Sequence, residues 1–386
     1  MSSRTAAPSD TSRPAQRSED YLGFNITRPL TPQQQADRLE SNKEAESRSS
    51  EWAKFASKRQ LPSASRLKKL VRQGGVPAAH RAWVWSEVSG ANAMRSDHPS
   101  NYFRRLSTSS QASEASIRQI DLDLPRTYPE HQWLCSVTGQ ASLCSVLLAY
   151  SIHNPQVGYC QGLNFVAAML LVSTDKQPET AFWLLTALLE RILYINNYSP
   201  DLPGFQVEML TLTDLVKEKL PKLHKHLQDL SCEMQILATD WYLTLYATSL
   251  PPEVAVRVWD CLFVEGSKVL YRVALALLQL YQPVLLSHDN AGEVLQNLDA
   301  AATGHYNTKR LLRTAFNRIG SLPMEKINRI RHSQQQVVDK MLQKRAVERR
   351  KRELAEARKA AQRKAEQEAL QRVEAGGALD MGFGAV

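Results

Sequence analysis

Apolar side chains recur at helical spacing through the middle of the chain. The predicted helices cover residues 142–153, 161–172, 180–195, 207–230, 236–247, 252–263 and 268–286. Turn signals separate them, for example Asn154 with Pro155, and Pro251. Alternation typical of strands is almost absent, and glycine is sparse at 16 of 386 residues. The pattern predicts an all-α fold in which helices pack pairwise around a shared core.

The pattern changes near residue 50. Residues 1–50 are rich in Ser, Pro, Gln, Arg and Glu and contain few large apolar side chains, which predicts a disordered N-terminal segment. Helical spacing begins around Trp52, stops at Gly74 and Gly75, and resumes after Pro77. We therefore expect an all-helical domain with flanking helices over residues 51–324.

The C-terminal part of the chain is strongly charged. The composition of residues 325–374 predicts one long basic helix, and we expect a flexible C-terminus over residues 375–386. Apolar residues stop recurring at helical spacing after about Val347, so the apolar stripe is too short for a stable coiled coil. We favour a solvated helix that docks only at its start. The alternative is a basic surface helix for anionic lipid or RNA, although its face lacks the aromatic residues such helices use.

Charge and cysteine usage exclude several classes of protein. Residues 325–386 hold fifteen Lys and Arg against nine Asp and Glu, so most of the net charge of +9 belongs to the tail. The five cysteines form no CxxC pair and have no histidine pair beside them at metal-binding spacing, so neither a zinc site nor a disulfide framework is expected. The N-terminus lacks an apolar stretch, and no run is long enough to span a bilayer. We expect a cytoplasmic protein, with peripheral association with endomembranes left open.

Two short segments carry the candidate chemistry. Arg126 lies between Pro125 and Thr127 on a backbone with little freedom, so its guanidinium can be presented at low entropic cost. Asp123, three residues earlier, can bind local amides or Arg126 itself. Gln161 follows Tyr159 at the start of a buried helix, and we expect it to project from the first helical turn. Each residue alone also fits an ordinary loop ion pair or a helix cap.

No motif indicates catalysis by this chain alone. The sequence contains no GxxxxGK[ST] phosphate loop, no HExxH motif and no GxSxG motif. The close histidine pair His224 and His226 would point to different faces of a helix and lies among lysines. We therefore expect neither a bound cofactor nor a metal site in this chain.

Taken together, the motifs resemble the TBC domain of Rab GTPase-activating proteins. The resemblance covers about residues 67–286, and the runs around 182–204 and 259–278 are similar to the growth-hormone-regulated TBC protein subgroup. The motifs are GxPxxxRxxxW at Gly75 to Trp85, IxxDxxRTxP at Ile120 to Pro129, YxQ at Tyr159 to Gln161, and a closing segment from Trp241 through Trp259 and Asp260 to Gly266.

The resemblance implies an activator of a Rab-family GTPase rather than an enzyme with its own active site. Arg126 and Gln161 would act as catalytic fingers in trans on the GTP-bound partner, with Asp123 and Tyr159 as supports. GTP and Mg²⁺ would belong to the partner. Arg81, Trp85, Trp259 and Asp260 would maintain the fold. Transient membrane association is a further expectation, and no specific nucleic acid is expected as a partner. The competing hypotheses are a non-catalytic Rab-binding or trafficking scaffold, and an RNA or lipid binder that uses the basic helix.

Overall fold

The computed structural model describes residues 19–26 and 29–380, with side chains described through residue 368. The chain divides into two compact units, residues 1–331 and 332–386. All regular structure in the described ranges is helical, apart from one isolated antiparallel bridge between Glu19 and Asn25. The predicted all-α class is confirmed.

Seventeen α-helices follow one another along the described chain. They are α1 (Pro32–Ser57), α2 (Ala64–Gln73), α3 (Ala78–Ser89), α4 (Ala91–Ser96), α5 (Tyr102–Ser107), α6 (Glu114–Asp123), α7 (Val137–His153), α8 (Leu163–Ser173), α9 (Pro178–Ala187), α10 (Pro203–Lys219), α11 (Pro221–Asp229), α12 (Met234–Leu243), α13 (Pro252–Glu265), α14 (Lys268–Leu285), α15 (Ala291–Thr303), α16 (Thr308–Arg313) and α17 (Met324–Asp380). A 3-10 turn covers Leu124–Arg126, and π-helical turns cover Leu188–Ile192 and Thr314–Arg318.

The core of residues 1–331 is built around helices that are apolar on nearly every face. Helices α8, α9, α13 and α14 are buried along most of their length, as expected for helices without a polar stripe. Helix α3 packs on α13, where the rings of Trp85 and Phe263 stack with their centroids 4.7 Å apart. The indole nitrogen of Trp259 donates to the carbonyl of Leu245 at 2.7 Å, so this buried ring also satisfies its polar atom.

A buried carboxylate joins the start of α3 to α13. Asp260 is fully buried and accepts hydrogen bonds from the backbone N–H of Val76 at 2.9 Å and from Trp85 Nε1 at 3.0 Å. Arg81 Nε donates to it at 3.3 Å, and Arg257 Nε lies 3.6 Å from its second oxygen. One buried charge is thus surrounded by donors, which is the condition for burying it without a large penalty. This geometry agrees with the fold-maintaining role expected for these residues.

Gly75 allows the chain to pass close to this cluster. Its φ is +75°, and a Cβ there would overlap the side chain of Arg257. The carbonyl of Gly75 accepts a hydrogen bond from Nε1 of Trp52 at 2.9 Å, which ties α1 to the same place. Only glycine combines this backbone conformation with the missing side chain.

The prediction of disorder over residues 1–50 is wrong for the part that the structure describes. Helix α1 begins at Pro32 with a complete capping box between Thr31 and Gln34. Its polar face then makes long-range contacts: Arg38 pairs with Glu253 at 2.9 Å, and Gln34 Nε2 donates to the carbonyl of Gly304 at 2.9 Å. Composition cannot reveal such contacts. The disorder predicted for residues 1–18 and 27–28 lies outside the described residues.

Two of the predicted helix boundaries also need correction. The helix expected over residues 207–230 is two helices, α10 and α11, separated at Leu220, because the residue before Pro221 is disfavoured from helical geometry. In place of the helix expected over 180–195, α9 ends at Ala187 and is followed by a π-helical turn. The apolar periodicity located both helical regions but not their breaks.

The expected charged helix is present as α17, and its side chains from 343 to 368 are exposed. The helix runs to Asp380, six residues past the end expected at 374, and residues 381–386 lie outside the described residues. In the described part of the chain, no helix is both long enough and apolar enough to cross a bilayer.

Candidate functional site

The arginine segment leaves the core at the end of α6. Ile120 on α6 is fully buried and anchors the helix. The chain then tightens into the 3-10 turn at Leu124–Arg126, in which Pro125 supplies the restricted φ. Arg126 comes at the end of this turn with 51% of its side chain exposed. Because the backbone of this turn is anchored and the side chain of Arg126 is exposed, the guanidinium is presented at the surface.

Asp123 holds this guanidinium from below. Its carboxylate is fully buried, and its Oδ1 lies 2.5 Å from Nη2 of Arg126. Gln119 Nε2 donates to the same oxygen at 3.0 Å, and the hydroxyl of Tyr159 donates to Oδ2 at 2.5 Å. The buried charge is therefore satisfied on both oxygens, as a buried carboxylate requires. The predicted contact between Asp123 and Arg126 is confirmed.

Tyr159 connects Asp123 to the glutamine segment, two residues ahead of Gln161. Burial raises the pKa of Tyr159, and the hydrogen bond to Asp123 and the charge of that carboxylate raise it further. The hydroxyl therefore keeps its proton at physiological pH and remains a donor to Asp123. The arginine segment and the glutamine segment share one carboxylate.

Gln161 lies in a turn before α8, not in its first helical turn, so that prediction is wrong. The reason is Gly162, whose φ of +104° is outside the helical region and which directly precedes the first residue of α8. A Cβ on Gly162 would lie 3.0 Å from the carbonyl oxygen of Leu243, so the turn also depends on the close approach of α12. The side chain of Gln161 is exposed.

A second, buried bridge links the same two segments. The hydroxyl of Thr127 donates to the carbonyl of Asp123 at 2.7 Å and accepts from Nδ2 of Asn164 at 2.7 Å. The Oδ1 of Asn164 accepts from the backbone N–H of Gly162 at 3.1 Å. Asn164 is fully buried, and both ends of its side-chain amide are hydrogen-bonded. Its position between Arg126 and Gln161 in space is information that only the structure supplies.

An aromatic contact forms a third link. Tyr128 follows the arginine turn with a φ of +49°, and its ring meets the edge of Phe165 on α8 at 5.2 Å. The Tyr128 hydroxyl donates to the carbonyl of Ala247 at 2.9 Å. Thr127, Tyr128 and Phe165 are not among the residues predicted to support the site. Their places inside or beside the two motifs are the signal that could have found them.

The titratable groups beside Gln161 give no sign of a nucleophile. Burial raises the pKa of the Cys160 thiol to about 11, so the thiol stays protonated at neutral pH. Within residues 19–26 and 29–368, no three His, Cys, Asp or Glu side chains lie close enough to hold a metal ion. The site offers one exposed cation and one exposed carboxamide on segments that three contacts hold together. Such a pair can donate to phosphate oxygens and orient a water molecule.

Comparisons with known proteins find relatives along most of the chain. The Rab-GTPase-TBC domain family model matches residues 78–286. Growth hormone-regulated TBC protein 1 of Xenopus laevis is 36% identical over 293 residues, which is 74% of this chain and 84% of that protein. The human protein of the same name is 35% identical over 291 residues, 74% of this chain and 85% of its own length. The predicted likeness to this subgroup is confirmed.

The fold is shared with a solved structure. The crystal structure of the Chlamydomonas flagellar RabGAP TBC domain is 40% identical, covers 79% of this chain and 100% of its own, and superposes with a TM-score of 0.72. The motifs that flank Arg126 and Gln161 both fall inside the matched residues 78–286. The chain belongs to the Rab-GTPase-TBC domain family.

Proposed function

We propose that this chain accelerates GTP hydrolysis by a Rab-family GTPase in its GTP-bound form by inserting Arg126 and Gln161 into the partner's nucleotide site. One observation carries the proposal. An exposed guanidinium and an exposed carboxamide stand on two segments that share the buried Asp123 and are bridged again through Asn164. Catalysis by preorganised donors requires polar groups that face solvent while the backbone that carries them is fixed, and Arg126 and Gln161 meet both conditions.

Arg126 supplies charge stabilisation. During hydrolysis, water attacks the γ-phosphorus and the bond to the bridging oxygen breaks, giving GDP and inorganic phosphate, so negative charge grows on the bridging and γ oxygens. Asp123 occupies Nη2 of Arg126 and leaves the remaining N–H groups to face those oxygens. Arginine fingers given in trans contribute about 10³ to 10⁵ in rate, which corresponds to roughly 4 to 7 kcal/mol of barrier.

Gln161 orients the attacking water. A carboxamide can accept a hydrogen bond from the water through its oxygen and donate to a γ oxygen through its nitrogen. The tight turn between Tyr159 and Gly162 supports this role because it limits the positions that the side chain can reach. Tyr159 and Asp123 are positioning residues in this scheme, since they act through Gln161 and Arg126.

The chain acts as an activator, and the nucleotide with its Mg²⁺ belongs to the partner. The sequence supports this because it has no phosphate-binding loop of its own. The proposal includes a cytoplasmic location, with transient association with the endomembranes on which the partner resides, and no specific nucleic-acid partner.

Single-turnover GTP hydrolysis across a panel of Rab proteins tests the proposal. Wild-type chain should accelerate hydrolysis by at least one of them, Arg126→Ala should lower kcat about 10³-fold or more, and Gln161→Ala should lower it by about 10- to 100-fold. The matched controls are Arg104→Ala on α5 and Gln228→Ala on α11, both exposed residues outside the site. Binding of a GTP-loaded Rab without any acceleration would instead identify a non-catalytic scaffold.

A further inference from the structure

A short segment ahead of α1 is folded onto the arginine loop. Residues 19–25, which we term the N-terminal clasp, lie well before the matched residues 78–286. Asp20 shapes the clasp: its Oδ1 accepts from the backbone N–H groups of Leu22 and Phe24, both at 2.9 Å. Gly23 has a φ of +90°, which closes the turn. The clasp is therefore a defined turn that presents Leu22 and Phe24 on one side.

The clasp is bonded to the chain just after Arg126. The Nδ1 of His131 accepts from the backbone N–H of Leu134 at 3.2 Å, so in the neutral ring Nε2 carries the proton and donates to the carbonyl of Leu22 at 3.0 Å. Asn25 Nδ2 donates to the carbonyl of Glu130 at 2.5 Å. His131 is buried, so the bond to Leu22 is shielded from water.

Phe24 completes a row of rings that reaches both segments of the site. Its ring meets Tyr128 edge-on at 4.8 Å and His131 at 4.6 Å, and Tyr128 in turn meets Phe165 at 5.2 Å. Phe24 is 7% exposed, although the first 50 residues of the chain are mostly polar. Tyr128 is two residues from Arg126, and Phe165 is in the first turn of the helix that follows Gln161.

Tyr128 needs such support because its backbone is in the left-handed region. A non-glycine residue with a φ of +49° costs free energy and persists only where its surroundings fix it. Phe165 and Ala247 contact the Tyr128 side chain, and Phe24 is a third contact. Without Phe24, the ring loses a packing partner and the backbone of the arginine loop gains freedom.

We infer that the N-terminal clasp is a positioning element for Arg126, so that full activation of the GTPase requires residues outside the matched domain. This inference rests on the proposed function. Finger catalysis depends on geometry, and a displacement of the reacting groups by about 1 Å can cost about 10²-fold in rate. The clasp acts by restricting the loop that carries the guanidinium, not by touching the GTPase nucleotide.

The test uses Phe24→Ala in the full chain, with Phe55→Ala as the matched control. Phe55 is a partly buried phenylalanine on α1 that packs on Trp52, away from the arginine loop. In single-turnover hydrolysis with a responsive Rab, Phe24→Ala should lower kcat about 10- to 100-fold with KM changed less than about threefold, whereas Phe55→Ala should stay within about twofold of wild type.

A binding measurement separates positioning from general damage. Phe24→Ala should bind the GDP and aluminium fluoride complex of the Rab about 10-fold more weakly than wild type, while its affinity for the Rab with a non-hydrolysable GTP analogue stays unchanged. If Phe24→Ala does not fold, Phe24→Leu keeps most of the buried volume and should lower kcat about threefold. A thermal melt of each variant at the assay concentration establishes that the chain is folded.

The outcomes distinguish the two proposals. A wild-type kcat for Phe24→Ala and Phe24→Leu, together with an inactive Arg126→Ala, overturns the clasp inference and leaves the proposed function standing. Equal losses in Phe24→Ala and Phe55→Ala also overturn the inference, because the effect would then reflect stability alone. A fully active Arg126→Ala overturns the proposed function itself.

Discussion

Two buried aspartates in this molecule use the same chemistry for different ends. Asp260 and Asp123 are both fully buried, and each accepts from an arginine and an aromatic side chain. The arginines differ: the side chain of Arg81 beside Asp260 is 3% exposed, whereas that of Arg126 beside Asp123 is 51% exposed. The enclosed pair of Arg81 and Asp260 can only stabilise the fold. The pair of Arg126 and Asp123 keeps its cation at the surface, where the buried carboxylate fixes the orientation of the guanidinium.

The surroundings of the two carboxylates sharpen this contrast. Asp260 joins α13 to the start of α3 and is enclosed by Val76, Trp85 and Arg257. Asp123 joins the surface segment at the end of α6 to the surface segment that precedes α8. The two pairs therefore differ in the solvent exposure of the cation. Under the proposed function, this exposure separates a pair that stabilises the fold from a pair that presents a catalytic arginine.

The largest expected effect is at the sealed aspartate. Asp260→Ala would leave Arg81 and Arg257 buried without their shared carboxylate, which should lower the free energy of unfolding by about 3 to 5 kcal/mol. Urea denaturation followed by circular dichroism measures this change. The contrast predicts that any remaining folded Asp260→Ala activates the GTPase at nearly the wild-type rate. A stability within about 1 kcal/mol of wild type would show that the cluster is not structural.

An intermediate effect is expected where the two segments of the open site meet. Tyr159→Phe removes the hydroxyl that donates to Oδ2 of Asp123, while the ring stays in place. Loss of one partner of a buried carboxylate should cost about 1 to 3 kcal/mol of stability and lower kcat about 10-fold, since the glutamine segment is freed from Asp123. Denaturation and single-turnover hydrolysis measure the two quantities on the same sample. A changed stability with an unchanged kcat would separate Tyr159 from the site.

The smallest expected effect is on the surface beside Arg126. Leu122 is 61% exposed on α6, next to Asp123, and burying its exposed surface against a partner contributes about 1 to 1.4 kcal/mol. Leu122→Ala should therefore raise KM about 5- to 10-fold with kcat and stability unchanged. The exposed Ile195→Ala, on the chain after the π-helical turn, measures whether other apolar surface residues matter as much. An unchanged KM for Leu122→Ala would place the partner elsewhere.

Much of this architecture is visible in the sequence because its signals are local. Apolar periodicity locates the core helices. The resemblance carried by the two motifs implies that Asp123, Arg126, Tyr159 and Gln161 belong to one site. Asp123 and Arg126 are three residues apart in a tight turn, so their contact can be predicted without a tertiary structure.

What the sequence conceals depends on distant contacts. Helix α1 is polar and is held by partners such as Glu253 and Gly304, which lie more than 200 residues away. The turn before Gln161 depends on the approach of Leu243 to Gly162. Phe24 stands in a polar leader, and only its neighbours Tyr21 and Leu22 hint at an apolar cluster there. Periodicity and composition carry no information on such pairings.

The most direct measurement compares Arg81→Ala with Arg126→Ala in both unfolding and GTP hydrolysis. The two arginines have the same chemistry and differ in exposure, so their substitutions should separate fold from function. Arg126→Ala should change the free energy of unfolding by about 1 kcal/mol or less, because Asp123 keeps Gln119 and Tyr159, and should lower kcat about 10³-fold or more. Arg81→Ala should instead lower the free energy of unfolding strongly and leave kcat close to the wild-type value. An Arg126→Ala chain that activates a responsive Rab at the wild-type rate would contradict the account.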